Sequence, residues 1–486
     1  MPSIKDRFYS IFFKDSSKWQ YWILLAILAK LFFFVIQVVI YHQFWNSADA
    51  DTPGYLKPIE NLVFHGSYTP DWRMPGYGVV YMPLILVFSI TTAQRLCLII
   101  QLILSSVSVY ILALTALRLF GKNIFFYGVF FVFAISSTVC LYDAYIETES
   151  FTTSALIFSV FFLVKFNDTK KNIFLVLSGA FLTWVTFLRP IFGVLFVFFS
   201  FIITIRQRSK SGNVLISLCL FLIPFALVDG AWSLRNYRQY KAIRPLTTVF
   251  PPTNNVDCTM SLYSFMQAWG ASNAFFDTTA VGWFYPYFIL KHDKMSSEFI
   301  KPCPYPEYIY TSKFNKDSLM AVKKMVIYQD VDTALSLEEK NEYNRKIIAC
   351  LDRYTMSIKT EKPFVYYIVA RWNEVKRFFG FDYKRSIWQP RPALYMNRNL
   401  ALLWILLYSI VMILGGLGCL IMIKYFFKEV IKFLPTGIII VMTLAYPILL
   451  KHGDESRYFV PAYPYMVICF IYAFDYMRNK FIKEYK

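Results

Sequence analysis

The 486 residues are 57% hydrophobic and 20% aromatic but only 17% charged, with a mean hydropathy of +0.44 and a formal charge of +19. A water-soluble fold is excluded, because no soluble domain buries that much apolar side chain; the bulk solvent is lipid. The basic excess, which in a soluble protein would point to nucleic acid, has a topological explanation here, and no nucleic-acid partner is expected.

The first apolar run, Trp19 to Tyr41, exceeds a signal-peptide core and has no small-residue cleavage site behind it, so it reads as an uncleaved span. Nine further runs approach the roughly 20 apolar residues a bilayer needs: 93–118, 123–142, 149–165, 172–188, 190–205, 213–231, 400–423, 434–450 and 458–477. Threaded from a cytoplasmic N-terminus, the cytoplasmic ends carry Lys5/Arg7/Lys14/Lys18, Arg118/Lys122, Lys165/Lys170/Lys171, Arg206/Arg208/Lys210, Lys424/Lys428/Lys432 and Arg478/Lys480/Lys483/Lys486. Every one is basic, as the positive-inside rule requires. The expectation is an all-α multi-pass protein of the plasma (inner) membrane, about ten helices, with both termini cytoplasmic. The Lys-, Ile- and Phe-rich style suggests a bacterium, whose outer face would be periplasm or cell exterior.

Two long segments then face outward, about 42–92 and about 232–399. In the first, 79-VVYMPLILVF-88 is apolar enough to lie in the interface. In the second, 335-LSLEEKNEYNRKIIACLDRYTMSIKT-360 reads as a helix, acidic early and basic late. The chain divides into a membrane module 1–250, an outer segment 251–399 and C-terminal spans 400–486. Cys258, Cys303 and Cys350 lie outside the spans, an odd number allowing at most one disulfide, and no cysteine or histidine spacing resembles a zinc site.

The residues capable of chemistry gather at the outer ends of spans. Asp49, Asp51 and Arg73 follow the first span in 47-SADADTPGY-55 and beyond; 142-YDAYIETES-150 supplies Asp143, Glu147 and Glu149. A tight turn holds Arg189 and Pro190, and the last two clusters are 229-DGAWSLRNYRQY-240 and 451-KHGDESRYFVPAYP-464. Lys30 is the main charge near mid-membrane, to be paired inside the bundle or to snorkel. Carboxylates and arginines at a membrane surface suit one reaction class. An acceptor hydroxyl needs a carboxylate to take its proton, and a leaving phosphate needs cations, best supplied by the guanidinium fork.

At these places the chain resembles the GT-C glycosyltransferases that use polyprenyl- or dolichyl-phosphate sugars, specifically the bacterial relatives of protein mannosyltransferases and aminoarabinose transferases. The likeness is carried by Asp51 and Tyr55, then 59-IENLVFHGSY-68 and 73-RMPGYG-78, where Met74 and Gly78 depart from the family's prolines. It continues through 118-RLFG-121, Thr148-Glu149, Arg189-Pro190, 232-WSLRN-236 with 245-PLTT-248, and 457-RYFVPAYP-464. These stand in consistent order over about 42–250 and 440–480; nothing in 250–400 takes part. The resemblance implies a GT-C-like bundle and an inverting transfer from a polyprenyl-phosphate-linked sugar to an acceptor glycan, lipid or protein. It implies Asp51 as the general base, with Glu149, or failing it Glu147, orienting the acceptor or sugar and Asp49 the alternative base. Arg235 and Arg457 become the phosphate ligands, with Arg73, Arg189 and His452 behind them, and Tyr55, Asn236 and Tyr458 join the substrate contacts.

Plainer readings of the same residues stay open. Asp51 precedes Pro53 in a position that suits a helix N-cap, although Pro58 argues against a long regular helix there. Glu147 and Glu149 would point to nearly opposite sides of a helix, and Trp232 suits an interface anchor. No cofactor is required; a divalent ion on Asp49 and Asp51 is left open. The alternatives are a transporter or flippase of lipid-linked glycan, an O-antigen polymerase or ligase, and an assembly partner without chemistry.

Overall fold

The structure is a computed structural model and describes residues 19–35, 51–69, 73–208, 213–246, 256–271, 306–331, 335–380, 398–451 and 456–484. Among them are helices and turns and no strand. In chain order come α1 (Trp19–Val35), α2 (Thr52–His65), a 3₁₀ turn (Pro75–Tyr77) running into α3 (Gly78–Ile85), α4 (Ile90–Phe120), α5 (Asn123–Ala134) and α6 (Thr148–Thr169). They are followed by α7 (Ile173–Leu188), α8 (Val194–Arg208) and α9 (Val214–Tyr240). Next are α10 (Thr259–Trp269), α11 (Lys316–Val331), α12 (Leu337–Glu361), a π-helical turn (Val365–Val369) and α13 (Ala370–Phe378). The last are α14 (Arg398–Met422), α15 (Leu434–Thr443), continued by a π-helical turn (Leu444–Leu449), and α16 (Tyr463–Glu484).

The chain forms two units, one of 1–250, 387–442 and 459–486, the other of 251–386 and 443–458. Among the described residues six helices can cross a membrane by length and composition, within 90–120, 148–169, 190–208, 214–240, 403–422 and 430–449; 19–35, 123–134 and 173–188 are apolar but shorter. Nine of the ten expected runs fall on these helices and the tenth, 458–477, falls on α16, outside both groups; three details differ. The third run breaks at Ala134, and just beyond it the Ser136 hydroxyl pairs with the Tyr463 hydroxyl at 2.7 Å. The seventh does not stop at residue 231: α9 continues to Tyr240, since Asp229 accepts the Leu246 amide at 2.9 Å instead of breaking the helix. Finally, α2 runs through Pro58, which removes only one donor in the second turn and packs on the buried face.

At the centre of the first unit stands α6, buried at every residue from Thr148 to Phe166. It packs against α4 and α7, and α7 packs against α9. The last contact is close: a Cβ on Gly179 of α7 would sit 2.0 Å from the Phe221 carbonyl oxygen of α9. Small residues let membrane helices approach like this where lipid offers no hydrophobic drive. The second unit has its own core, in which Leu262, Phe265, Val322, Ile347 and Leu351 meet. Its α12 begins with a capping box, the Ser336 hydroxyl accepting from the Glu339 amide while Glu339 reaches back. Cys258 and Cys350 are free thiols there, and Cys303 lies outside the described residues.

Lys30 pairs inside the bundle. Its Nζ lies 3.1 Å from Asp143 Oδ2, both side chains essentially unexposed, and the Ser105 and Ser150 hydroxyls donate to the same carboxylate at 2.9 and 2.6 Å. Removing one partner strands the other charge, at about 3–5 kcal/mol. Lys30→Met is therefore expected to lower the melting temperature of the detergent-solubilised protein, and Lys30→Met with Asp143→Leu to recover at least half of that loss. An unchanged melting temperature in the single variant would show that the pair does not hold α1 to the bundle.

Candidate functional site

The site is built from the start of α2. Asp51 occupies the N-cap position with helical dihedrals (φ −81, ψ −22), but its side chain makes no cap hydrogen bond. Instead Oδ1 accepts from Arg73 Nη2 at 2.8 Å. Both members are reachable, Asp51 at 24% and Arg73 at 41% side-chain exposure, so the pair contributes little to stability and can exchange partners. The Arg73 guanidinium also lies 5.0 Å from the centre of the Tyr55 ring, and Tyr55 stacks on Tyr77 at 6.1 Å. Tyr77 donates its hydroxyl to Gln101 Oε1 at 2.8 Å, deep in the unit.

A second ion pair stands behind Tyr55. Glu149, fully buried in the first turn of α6, accepts from Arg189 at the end of α7, and Arg189 Nε donates to Thr148 Oγ1 at 2.8 Å. A carboxylate in that first turn also suits the positive end of the helix dipole. Glu147, two residues earlier, is the extended N-cap of α6 and is itself buried. Thr52 joins the two halves, donating its hydroxyl to the Ile146 carbonyl at 3.0 Å. Burial pushes the Tyr55 phenol above its ordinary value; Arg73 and Arg189 pull it down, Glu149 and Asp51 push it up, and it stays neutral beside the two ion pairs.

Arg235 approaches from α9. Its guanidinium lies 4.7 Å from the Trp232 ring centre, 5.4 Å from Tyr240 and 5.6 Å from Tyr68, and it donates to the Tyr68 carbonyl at 3.3 Å and to Asn236 Oδ1 at 2.9 Å. Tyr68 in turn donates its hydroxyl to the Arg73 carbonyl at 2.8 Å, so one tyrosine connects the two arginines. After α9 the chain turns back along it: Asn236 donates to the Arg244 carbonyl at 3.3 Å, and Leu246 reaches Asp229 in a left-handed conformation (φ 50).

Beside the Arg73–Tyr77 loop lies an apolar cavity of about 550 Å³, whose walls include Pro75, Gly76, Val79, Trp184, Val228 and Trp232. Trp184 donates its indole N–H to the Gly76 carbonyl at 3.0 Å and fixes the loop on α7. Trp232 faces both this cavity and Arg235, so apolar space and guanidinium adjoin.

Asp51, Tyr55, Arg73, Glu147, Glu149, Arg189, Arg235 and Asn236 therefore all fall in one unit and are connected through Thr52, Tyr68 and Tyr77. Arg457 and Tyr458 belong to the other, where Arg457 lies over the Tyr458 ring and Tyr458 stacks on Tyr446 at 5.1 Å. Asp49 and His452 lie outside the described residues. Tyr68 and Gln101 were not singled out in the sequence. A lone amide within an apolar span was the available signal for Gln101, which donates to the Tyr145 carbonyl at 2.9 Å and so steadies the approach to α6. Among the described residues no three His, Cys, Asp or Glu side chains gather as metal ligands.

No family model matches the chain, and no curated protein matches it. Among solved structures, the apo form of the oligosaccharyltransferase from Archaeoglobus fulgidus is similar over 96% of this chain, at 14% identity and a TM-score of 0.41. The chain spans about half (52%) of that protein's length. A likeness of that degree does not define the reaction, and the functional reading rests on the site itself.

Gly76 tests the placement of the loop. A Cβ there would lie 2.3 Å from the Phe187 backbone carbon. Gly76→Ala must displace the segment carrying Arg73 and is expected to cost about 1–3 kcal/mol, read as a lower melting temperature in nanodiscs. If the variant melts with the wild type, the loop does not pack against the end of α7.

Proposed function

We propose that the protein is an inverting GT-C-type glycosyltransferase that moves a sugar from a polyprenyl-phosphate donor to an acceptor hydroxyl at the extracytoplasmic face of the membrane. One observation carries this reading: a reachable carboxylate, two arginines and an apolar cavity adjoin within one unit although they come from distant segments. The order of the motifs along the chain supports the same class.

In this proposal Asp51 takes the proton of the acceptor hydroxyl. The hydroxyl oxygen bonds to the anomeric carbon from the face opposite the carrier, and the bond from that carbon to the phosphate oxygen breaks, leaving a polyprenyl phosphate monoester. Arg235, held among three aromatic rings, and Arg73, exposed enough to leave Asp51, meet the growing phosphate charge. The cavity walled by Trp184 and Trp232 receives the first part of the prenyl chain. Glu149 is too buried to touch substrate, so it acts as a positioning residue that fixes Arg189 behind Tyr55. The second unit supplies acceptor recognition, as long segments on a rigid scaffold commonly do.

The test uses purified protein in nanodiscs, radiolabelled polyprenyl-phosphate sugars and a cell-envelope acceptor extract. Asp51→Asn is expected to lower transfer about 10²–10⁴-fold while donor binding persists. Arg235→Ala is expected to weaken donor binding as well. Undiminished transfer by Asp51→Asn would remove Asp51 as the base. Donor binding by wild type with no labelled acceptor would favour a transport or assembly role instead.

A further inference from the structure

The other end of the first unit holds a second polar cleft that the proposed reaction does not use. It has a volume of about 390 Å³ and is walled by Lys122, Tyr425, Lys432, Tyr472, Asp475 and Tyr476 among others. Along α4, Gln101 belongs to the outer site and Phe120 lines this cleft, which separates them by about 28 Å at 1.5 Å per residue. That distance is about the thickness of a hydrocarbon core, so the cleft lies at the opposite membrane surface.

Its chemistry is cationic and aromatic. Lys424 lies over three tyrosine rings, with centres at 5.5 Å (Tyr425), 5.8 Å (Tyr472) and 5.3 Å (Tyr476), and Lys432 lies 5.5 Å from the Tyr425 ring centre. The Tyr425 and Tyr472 hydroxyls pair at 3.1 Å. Lys122 and Arg478 both bond to the buried Asp475, and Lys432 pairs with Glu429 at 2.7 Å. Even so, Lys122, Lys424, Lys432, Arg478 and Lys480 outnumber Asp475 and Glu429, leaving positive charge over a cavity of ligand size. Phe427 and Phe474 stand within two residues of the wall residues Tyr425 and Asp475 and are 86% and 48% exposed. A cationic, tyrosine-walled cleft with exposed apolar side chains close by in sequence matches a ligand with a phosphate and an acyl tail.

We propose that this cleft binds the phosphate headgroup of an anionic phospholipid, with Lys432 of the wall meeting the phosphate and Lys424, which lies over the wall tyrosines Tyr425, Tyr472 and Tyr476 without lining the cleft itself, adding positive charge beside it. Tyrosine faces fix ammonium groups by cation–π attraction without neutralising them, and basic pockets between spans on the cytoplasmic side are suited to lipid phosphates.

The experiment reconstitutes the full chain in nanodiscs of equal phosphatidylglycerol and phosphatidylcholine, extracts it in detergent and counts retained lipids by native mass spectrometry. Wild type is expected to retain phosphatidylglycerol in preference. Lys424→Ala with Lys432→Ala should weaken that retention about five-fold per lysine, and Lys424→Arg with Lys432→Arg should keep it. If the alanine pair fails to fold, Lys424→Gln alone should show the single-lysine loss. Equal retention of the two lipids, or unchanged retention in the alanine or glutamine variants, would overturn the proposal. Displacement of phosphatidylglycerol by soluble glycerol 3-phosphate would overturn the lipid as ligand.

Discussion

The arrangement of the first unit depends on how it keeps charge in an apolar interior. Lys30 and Asp143 are both unexposed, and neither is tolerable there alone. Joined to each other and to two serine hydroxyls, they form a closed polar knot that pins α1 to the stretch between α5 and α6. That stretch is irregular, with short turns from Ser137 to Ala144, so its carbonyls need donors from elsewhere. Gln101 answers the Tyr145 carbonyl and Thr52 the Ile146 carbonyl. The start of α2, and with it Asp51, is thus fixed by the hydrogen-bond needs of a segment nearly a hundred residues away.

That dependence gives the site two ion pairs of opposite character. Glu149 with Arg189 is buried and further bound through Thr148, so it is a fixed electrostatic wall. Asp51 with Arg73 is partly exposed, so it is available for exchange. Tyr55 lies between them, kept protonated by burial, and insulates the adaptable pair from the rigid one. A transporter needs charges that line a path through the membrane. Here the deep pair, Lys30 with Asp143, neutralises itself within the packing, while Asp51 and Arg73 are partly exposed.

The spans were legible because lipid imposes the same demand on every residue, and simple hydropathy reports it. Helix ends were less so. Hydropathy places the end of the seventh run at 231, where the apolar solvent ends, but hydrogen bonding carries α9 to Tyr240. Pro58 misled because tertiary packing overrides local propensity: α2 carries the proline in its interior with the ring buried. The clustering of Asp51 with Arg73 could be anticipated from the concentration of polar residues at outer ends. Lys30 had two readings, and only the fold selects Asp143 as its partner. The burial of Glu149 was not legible either, since Thr148-Glu149 at a span end reads equally as a solvated loop, and it is α7 folding back that closes over it through Arg189.

The two ends of α4 differ in the kind of cation they carry. At the Gln101 end the cations are arginines: Arg235, enclosed by Tyr68, Trp232 and Tyr240 with its planar fork fixed in direction, and Arg73, stacked on Tyr55 but exposed enough to exchange partners. A leaving group whose charge grows during reaction needs such fixed donors, because none has to move as the bond breaks. At the other end the cations are mainly lysines, with Lys424 held over three tyrosine rings; an ammonium is a point charge and, unlike a planar fork, would take a headgroup in many orientations. Exchange with bulk lipid requires that looseness, and chemistry forbids it. The choice of arginine at one surface and lysine at the other is therefore what a division between a reacting phosphate and an anchoring one would demand.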